Sequence, residues 1–167
     1  KISNYVIKKV AEALKKLFNT DRARYETIWE DVALFVKYGS ISDNKFDEMM
    51  RPYVLFKNAE QKLVTLEEYK SSIPENFKEK LKDKIIYFEK GKSDQSLRKQ
   101  LLTLGVHSLE TESYIDPHYM QHTEFTKVGE SEYKFVAIDS EYANLFEAEA
   151  TTDSDIKIKD LFKKILI

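Results

Sequence analysis

KIIYFEKGKSDQSLRKQLLTLGVHSLETES, residues 84–113, changes its hydrophobic period twice. Its first part, KIIYFEKG, is a short β-rich apolar run closed by Gly91 and reads as a buried strand. SDQSLRKQLLTLG then reads as a helix, with Asp94 in the first turn and Gly105 at its end. VHSLETES is a weaker strand. Downstream, DPHYMQHTEF reads as a helix with Asp116 as N-cap and Pro117 at the first helical position, where a missing N–H costs nothing. EYKFVAID is a final strand. Strand, helix, strand, helix, strand predicts a small α/β/α layer with a short, mostly parallel three-stranded sheet.

Upstream, KLVTLEEYKSSIP pairs Thr65 with Glu68 as a capping box, so a helix starts at Leu66 and ends before Pro74. Before Val54 the pattern is helical. In ISNYVIKKVAEALKKLF, residues Val6, Val10, Ala13, Leu14 and Leu17 recur at helical spacing, with Asn19 and Thr20 offering a stop and a new N-cap. A second helix carries Tyr25, Ile28, Trp29, Val32, Phe35 and Val36 along one face, with Gly39 as its end. A shorter third helix runs through DNKFDEMMRPY, bent or ended near Pro52. The result is a three-helix coil leading into the α/β layer. Ser140 to Asp155 reads as an acidic, solvated linker, and Ile158, Leu161, Phe162 and Ile165 as the stripe of a terminal helix with nothing left to pack against. Lys1 already lies inside an amphipathic pattern, so a fragment of a longer chain is expected.

The chain's 167 residues carry a formal net charge of −2, which gives no overall electrostatic case for nucleic acid or an anionic membrane as partner. Cysteine is absent, removing disulfides, thiolate nucleophiles and zinc–cysteine sites, and fitting a reducing compartment. No apolar run approaches the ~20 residues that cross a bilayer. Gly39, Gly91, Gly105 and Gly129 fall at expected element ends or turns and do not cluster into a phosphate-cradling loop. No serine lies in a nucleophile elbow, and the carboxylates alternate with lysines as on solvated faces. No catalytic or cofactor-binding constellation is present.

His118 and His122 are four residues apart, a spacing that puts both rings on one helix face and also serves zinc-binding helices. A zinc site wants three or four ligands, and Tyr119 stands where the zinc-protease motif has its glutamate. The better reading is a contact surface: His118, Tyr119 and Gln121 combine an aromatic body with polar tips. Trp29 and its helix-mates read as core, as do Phe46, Met49 and Met50 with more room for an adaptable surface. Lys8, Lys9, Lys15 and Lys16 read as a solvated face.

KISNYVIKKVAEALKKLF, YETIWEDVALFVKYGSISD, LFKN, TLEEYK and YIDPHYMQH, in this order and separation, resemble the heat shock protein 90 chaperone family, in its bacterial HtpG branch. The resemblance implies a middle-domain segment: residues 1–55 the helical coil, 56–139 the small α/β/α subdomain, 140–155 the linker, and 156–167 the start of the C-terminal dimerisation domain. It places the catalytic-loop arginine and the nucleotide pocket outside this chain, so neither cofactor nor catalysis is expected here. The full-length protein would use ATP and Mg, form a cytoplasmic homodimer, and bind unfolded or partly folded clients at a surface including His118, Tyr119 and Gln121. The segment's other partners would be its own N- and C-terminal domains. One departure stands out: Glu110 falls where the family has an apolar strand residue, so either the register shifts by one or the strand is partly exposed. A non-chaperone α/β interaction module is the first alternative, and a metal-binding domain using His118 and His122 the second.

Overall fold

The computed structural model describes residues 3–92, 95–112 and 114–149. Helices α1 (Asn4–Thr20), α2 (Arg22–Ser42) and α3 (Asn44–Met50) form the coil, each reversal turning on one aspartate. The Asp21 N–H donates to the Leu17 carbonyl at 2.8 Å, ending α1, and its side chain accepts from the Arg24 N–H at 3.1 Å, starting α2. Asp43 repeats the device between Gly39 and Phe46, at 2.9 and 3.0 Å. A single short acceptor thus satisfies orphan groups of two helices. The expected N-cap, Thr20, instead turns its hydroxyl back to the Lys16 carbonyl.

Gly39 does not end α2, which continues to Ser42. A Cβ there would stand 2.9 Å from the Phe46 ring, so glycine is needed for the close approach of α3 and not for a turn. Along α2 the expected face holds at Tyr25, Trp29 and Val36, but Phe35 is 40% exposed. On α1 the buried line is Ala11 and Leu14, backed by Ile7, Val10 and Phe18, while Val6 and Ala13 face outward. The stripe is rotated from the expected one because Ala11 is the residue small enough to sit in the contact.

A short 3-10 turn, Arg51–Tyr53, leads into the layer. Its sheet has five strands in the order β2-β1-β4-β3-β5. The three expected strands are β3 (Lys84–Glu89), β4 (Leu109–Thr111) and β5 (Lys134–Ala137), with β3 parallel to both others. The two-residue strands β1 (Phe56–Lys57) and β2 (Leu63–Val64) add an antiparallel edge that the expectation lacked, because two residues carry no readable period. Ile85 and Ile86 are both fully buried, and successive strand residues point to opposite faces, so β3 is covered on both sides.

Around the sheet lie α4 (Leu66–Ser72), α5 (Gln95–Thr103), α6 (Ile115–Phe125) and α7 (Ile138–Glu149). The capping box forms as read, with Thr65 and Glu68 exchanging bonds of 2.8 and 3.1 Å. Gly105 closes α5 at φ +81°, a left-handed conformation that glycine adopts without strain.

Two expectations change here. Residues 140–149 are helical in α7, not a linker: Leu145 is fully buried, and buried Glu141 pairs with Lys84 at 3.3 Å. The acidic composition hid one anchor leucine and one internal ion pair. Asp94, residues 150–155 of the linker and the terminal stripe at Ile158, Leu161, Phe162 and Ile165 lie outside the described residues. At β4 neither an exposed strand nor a shifted register is needed. Glu110 itself is buried, facing Phe88 and Lys57 in the ladder, and accepts from Gln61 Nε2 at 3.3 Å.

Candidate functional site

Helix α6 lies in the seam between coil and layer, packed on α2 and β5. Asp116 falls in its first turn and is not the cap expected from the sequence; Tyr114 precedes the helix without a side-chain cap. The Asp116 carboxylate accepts from Lys37 Nζ at 2.6 Å and from the Glu112 N–H at 3.1 Å, and both charged side chains are buried. Lys37 also lies 4.7 Å over the Phe56 ring. A carboxylate in a first turn is favoured by the helix dipole, and here it also fixes α6 to α2.

The other end of α6 is held by a second buried ionic group. Asp47 and Arg51, one turn apart on the end of the coil, form a bidentate pair through Nε at 3.1 Å and through Nη2. Arg51 Nη1 donates to the Thr126 carbonyl at 2.6 Å, satisfying a main-chain oxygen at the C-terminus of α6. His122 Nε2 is 2.8 Å from Asp47 Oδ2.

The two histidines of α6 therefore have different surroundings. His122 is half-buried against Asp47, whereas His118 is exposed. No group of three potential ligating side chains gathers among the described residues, so the metal alternative has no ligand set there.

Tyr119 is fully buried, its ring 6.2 Å from Phe56, and burial pushes its phenol well above the ordinary range. It cannot form the aromatic body of a surface contact, which corrects its place beside His118 and Gln121. Those two do face outward. They share the outer face of α6 with Tyr114 and Phe125, each 80% exposed. Positions 114, 118, 121 and 125 step by four, three and four, one face at 3.6 residues per turn. The aromatic ends of this stripe were not expected from the sequence, although the helical period counted outward from His118 reaches both.

Tyr114 also borders a groove of about 570 Å³ between α2 and the layer. Trp29, Leu55 and Phe56 line it, and Leu34, 52% exposed, borders it from α2. Trp29 itself is core, at 4% exposure. The site presents exposed aromatic and polar side chains on one helix face.

The fold is a mixed α/β layer built on a helical coil. A similar fold occurs in the middle domain of a Plasmodium falciparum heat shock protein, with a TM-score of 0.62 at 17% identity over 81% of this chain and 55% of that one. The Porphyromonas gingivalis chaperone protein HtpG is 28% identical over the whole chain, which spans 24% of that protein. HtpG of Bacteroides fragilis is 35% identical over 57% of the chain and 14% of the relative, and that of Bacillus subtilis 32% identical over 59% and 15%. No family model matches. The chain is thus similar over its whole length to a stretch of HtpG, and its fold is similar to that of a heat shock protein 90 middle domain, in keeping with the resemblance. It spans a quarter or less of the length of these curated relatives.

Proposed function

We propose that this segment serves an ATP-dependent chaperone as a rigid connector and client-contact surface, without catalysis of its own. The observation that carries the reading is the outer stripe of α6, where Tyr114, His118, Gln121 and Phe125 offer exposed aromatic and polar groups in one line. Side chains with an apolar body and a polar tip suit weak, sequence-tolerant contact with unfolded segments. The two buried ionic clamps at the ends of α6 support the connector role, because motion of the coil would be transmitted directly to the stripe.

In the whole protein, ATP and Mg would be held by an N-terminal domain and homodimerisation by a C-terminal one, in the cytoplasm. This segment would link the two, with unfolded or partly folded proteins as clients. The test is client-stimulated ATPase activity of the full-length chaperone carrying Tyr114→Ser and Gln121→Ala. Stimulation by a denatured client should fall several-fold with basal hydrolysis intact. Unchanged stimulation refutes the contact role.

The non-chaperone alternative makes a different prediction: the full-length protein would show neither ATPase activity nor suppression of client aggregation.

A further inference from the structure

A second surface carries unbalanced charge beside exposed apolar area. A groove of about 350 Å³ lies between the end of α6, the turn after it and the start of β5. Phe125 lies at its edge, 80% exposed. Main-chain pairing gathers lysines here: the Lys134 N–H donates to the Asp83 carbonyl at 2.7 Å, and the β3–β5 register sets Lys84 beside Lys134. Lys82 and Lys127 complete the lining charges of that sign.

The carboxylates of the groove are already engaged. Asp83 pairs with Lys70 at 3.0 Å, Glu132 with Lys127 at 3.3 Å, and Glu124 accepts the Phe135 N–H at 2.6 Å. Lys84 turns to Glu141. Among the described residues, exposed Lys82 and Lys134 are left without a counter-ion. Four lysines against three carboxylates leave the lining one positive charge in excess, which favours an anionic visitor, and the adjacent aromatic favours one with apolar side chains.

We propose that this groove binds an acidic peptide segment, its carboxylates on Lys82 and Lys134 and an aromatic or aliphatic side chain against Phe125. Charge complementarity selects this occupant. A neutral apolar segment leaves both lysines unmatched, and two free lysines are fewer than the cluster of about four to eight that anionic lipid recognition uses. The groove shares Phe125 with the outer stripe of α6, but peptide binding needs neither ATP nor unfolded protein, so this inference and the chaperone reading fail in different experiments.

Fluorescence anisotropy of the protein at low salt, with a short labelled peptide of acidic residues around one phenylalanine, tests it. Saturable binding is expected, about five- to tenfold weaker for Lys82→Ser/Lys134→Ser, as loss of two exposed ion pairs implies, and weakened by added salt. Phe125→Ser should weaken the same peptide but not a version lacking phenylalanine. Both lysines are exposed, and circular dichroism is the check that the variants fold. Absence of binding, equal binding of the peptide with amides in place of carboxylates, or an unchanged affinity in the lysine variant overturns the proposal.

Discussion

Arg51 donates to the main-chain carbonyl of Thr126 at 2.6 Å, so a residue at the end of the coil caps the helix that bears the proposed contact face. The same guanidinium holds Asp47, which is fully buried. Removing one member of such a group strands a buried charge, whereas removing the pair does not. Arg51→Met should therefore destabilise the protein by ~3–5 kcal/mol, and Arg51→Met/Asp47→Leu by clearly less than the sum of the singles. Urea unfolding of the four members of the cycle measures this; additive losses would show that the pair is not coupled.

Lys37 and Asp116 form the clamp at the opposite end of α6, at 2.6 Å. Lys37→Met leaves the Asp116 carboxylate inside without its cation, with an expected loss again of ~3–5 kcal/mol. Hydrogen exchange should show the added opening concentrated in the first turn of α6. Uniform loss of protection across the chain would place the effect elsewhere.

Gly39→Ala tests the close approach of α3. The new methyl meets the Phe46 ring at 2.9 Å, and overpacking of ~1–3 kcal/mol outweighs the ~1 kcal/mol that alanine brings to a helix. The variant should melt below the wild type, and Phe46→Leu should recover part of the loss. A raised melting temperature in the single variant contradicts this packing.

Acid sensitivity has a local source at Glu67. The hydroxyl of Tyr133, and then that of Ser131, donates to its carboxylate and holds it below the ordinary carboxylate range against partial burial. A depressed folded-state value contributes stability that is present above the unfolded value and is lost as pH falls through the folded one. Glu67→Gln should thus be slightly less stable than wild type at neutral pH, with the difference closing in acid. Parallel stability curves would remove the effect.

Long periodic segments of this fold were readable and short ones were not. The coil and the βαβαβ order rest on apolar patterns of several residues, and the start of α4 on the Thr65–Glu68 capping motif. Strands β1 and β2 have two residues each and are defined by pairing with each other and, for β1, with the edge of β4. In α7 the acidic composition masks one buried leucine and one internal ion pair. At the site, the i, i+4 histidines were correctly placed on one helix, yet the boundary between its buried and exposed sides runs between His118 and Tyr119. That boundary is set by Asp116, whose partner Lys37 is 79 residues away, and by the local Asp47–Arg51 pair, which meets α6 from the end of the coil. No local pattern encodes it.

The outer face of α6 as a client contact can be tested by photo-crosslinking in the full-length protein. A photoreactive residue at His118 or Gln121 should capture a denatured client, while one at Lys15 on α1 should not. Tyr119→Phe, which removes a buried hydroxyl, should leave capture unchanged, and Tyr114→Ser/Phe125→Ser should reduce it several-fold. Equal capture at Lys15 and His118, or undiminished capture in the Tyr114/Phe125 variant, would contradict the assignment of this face.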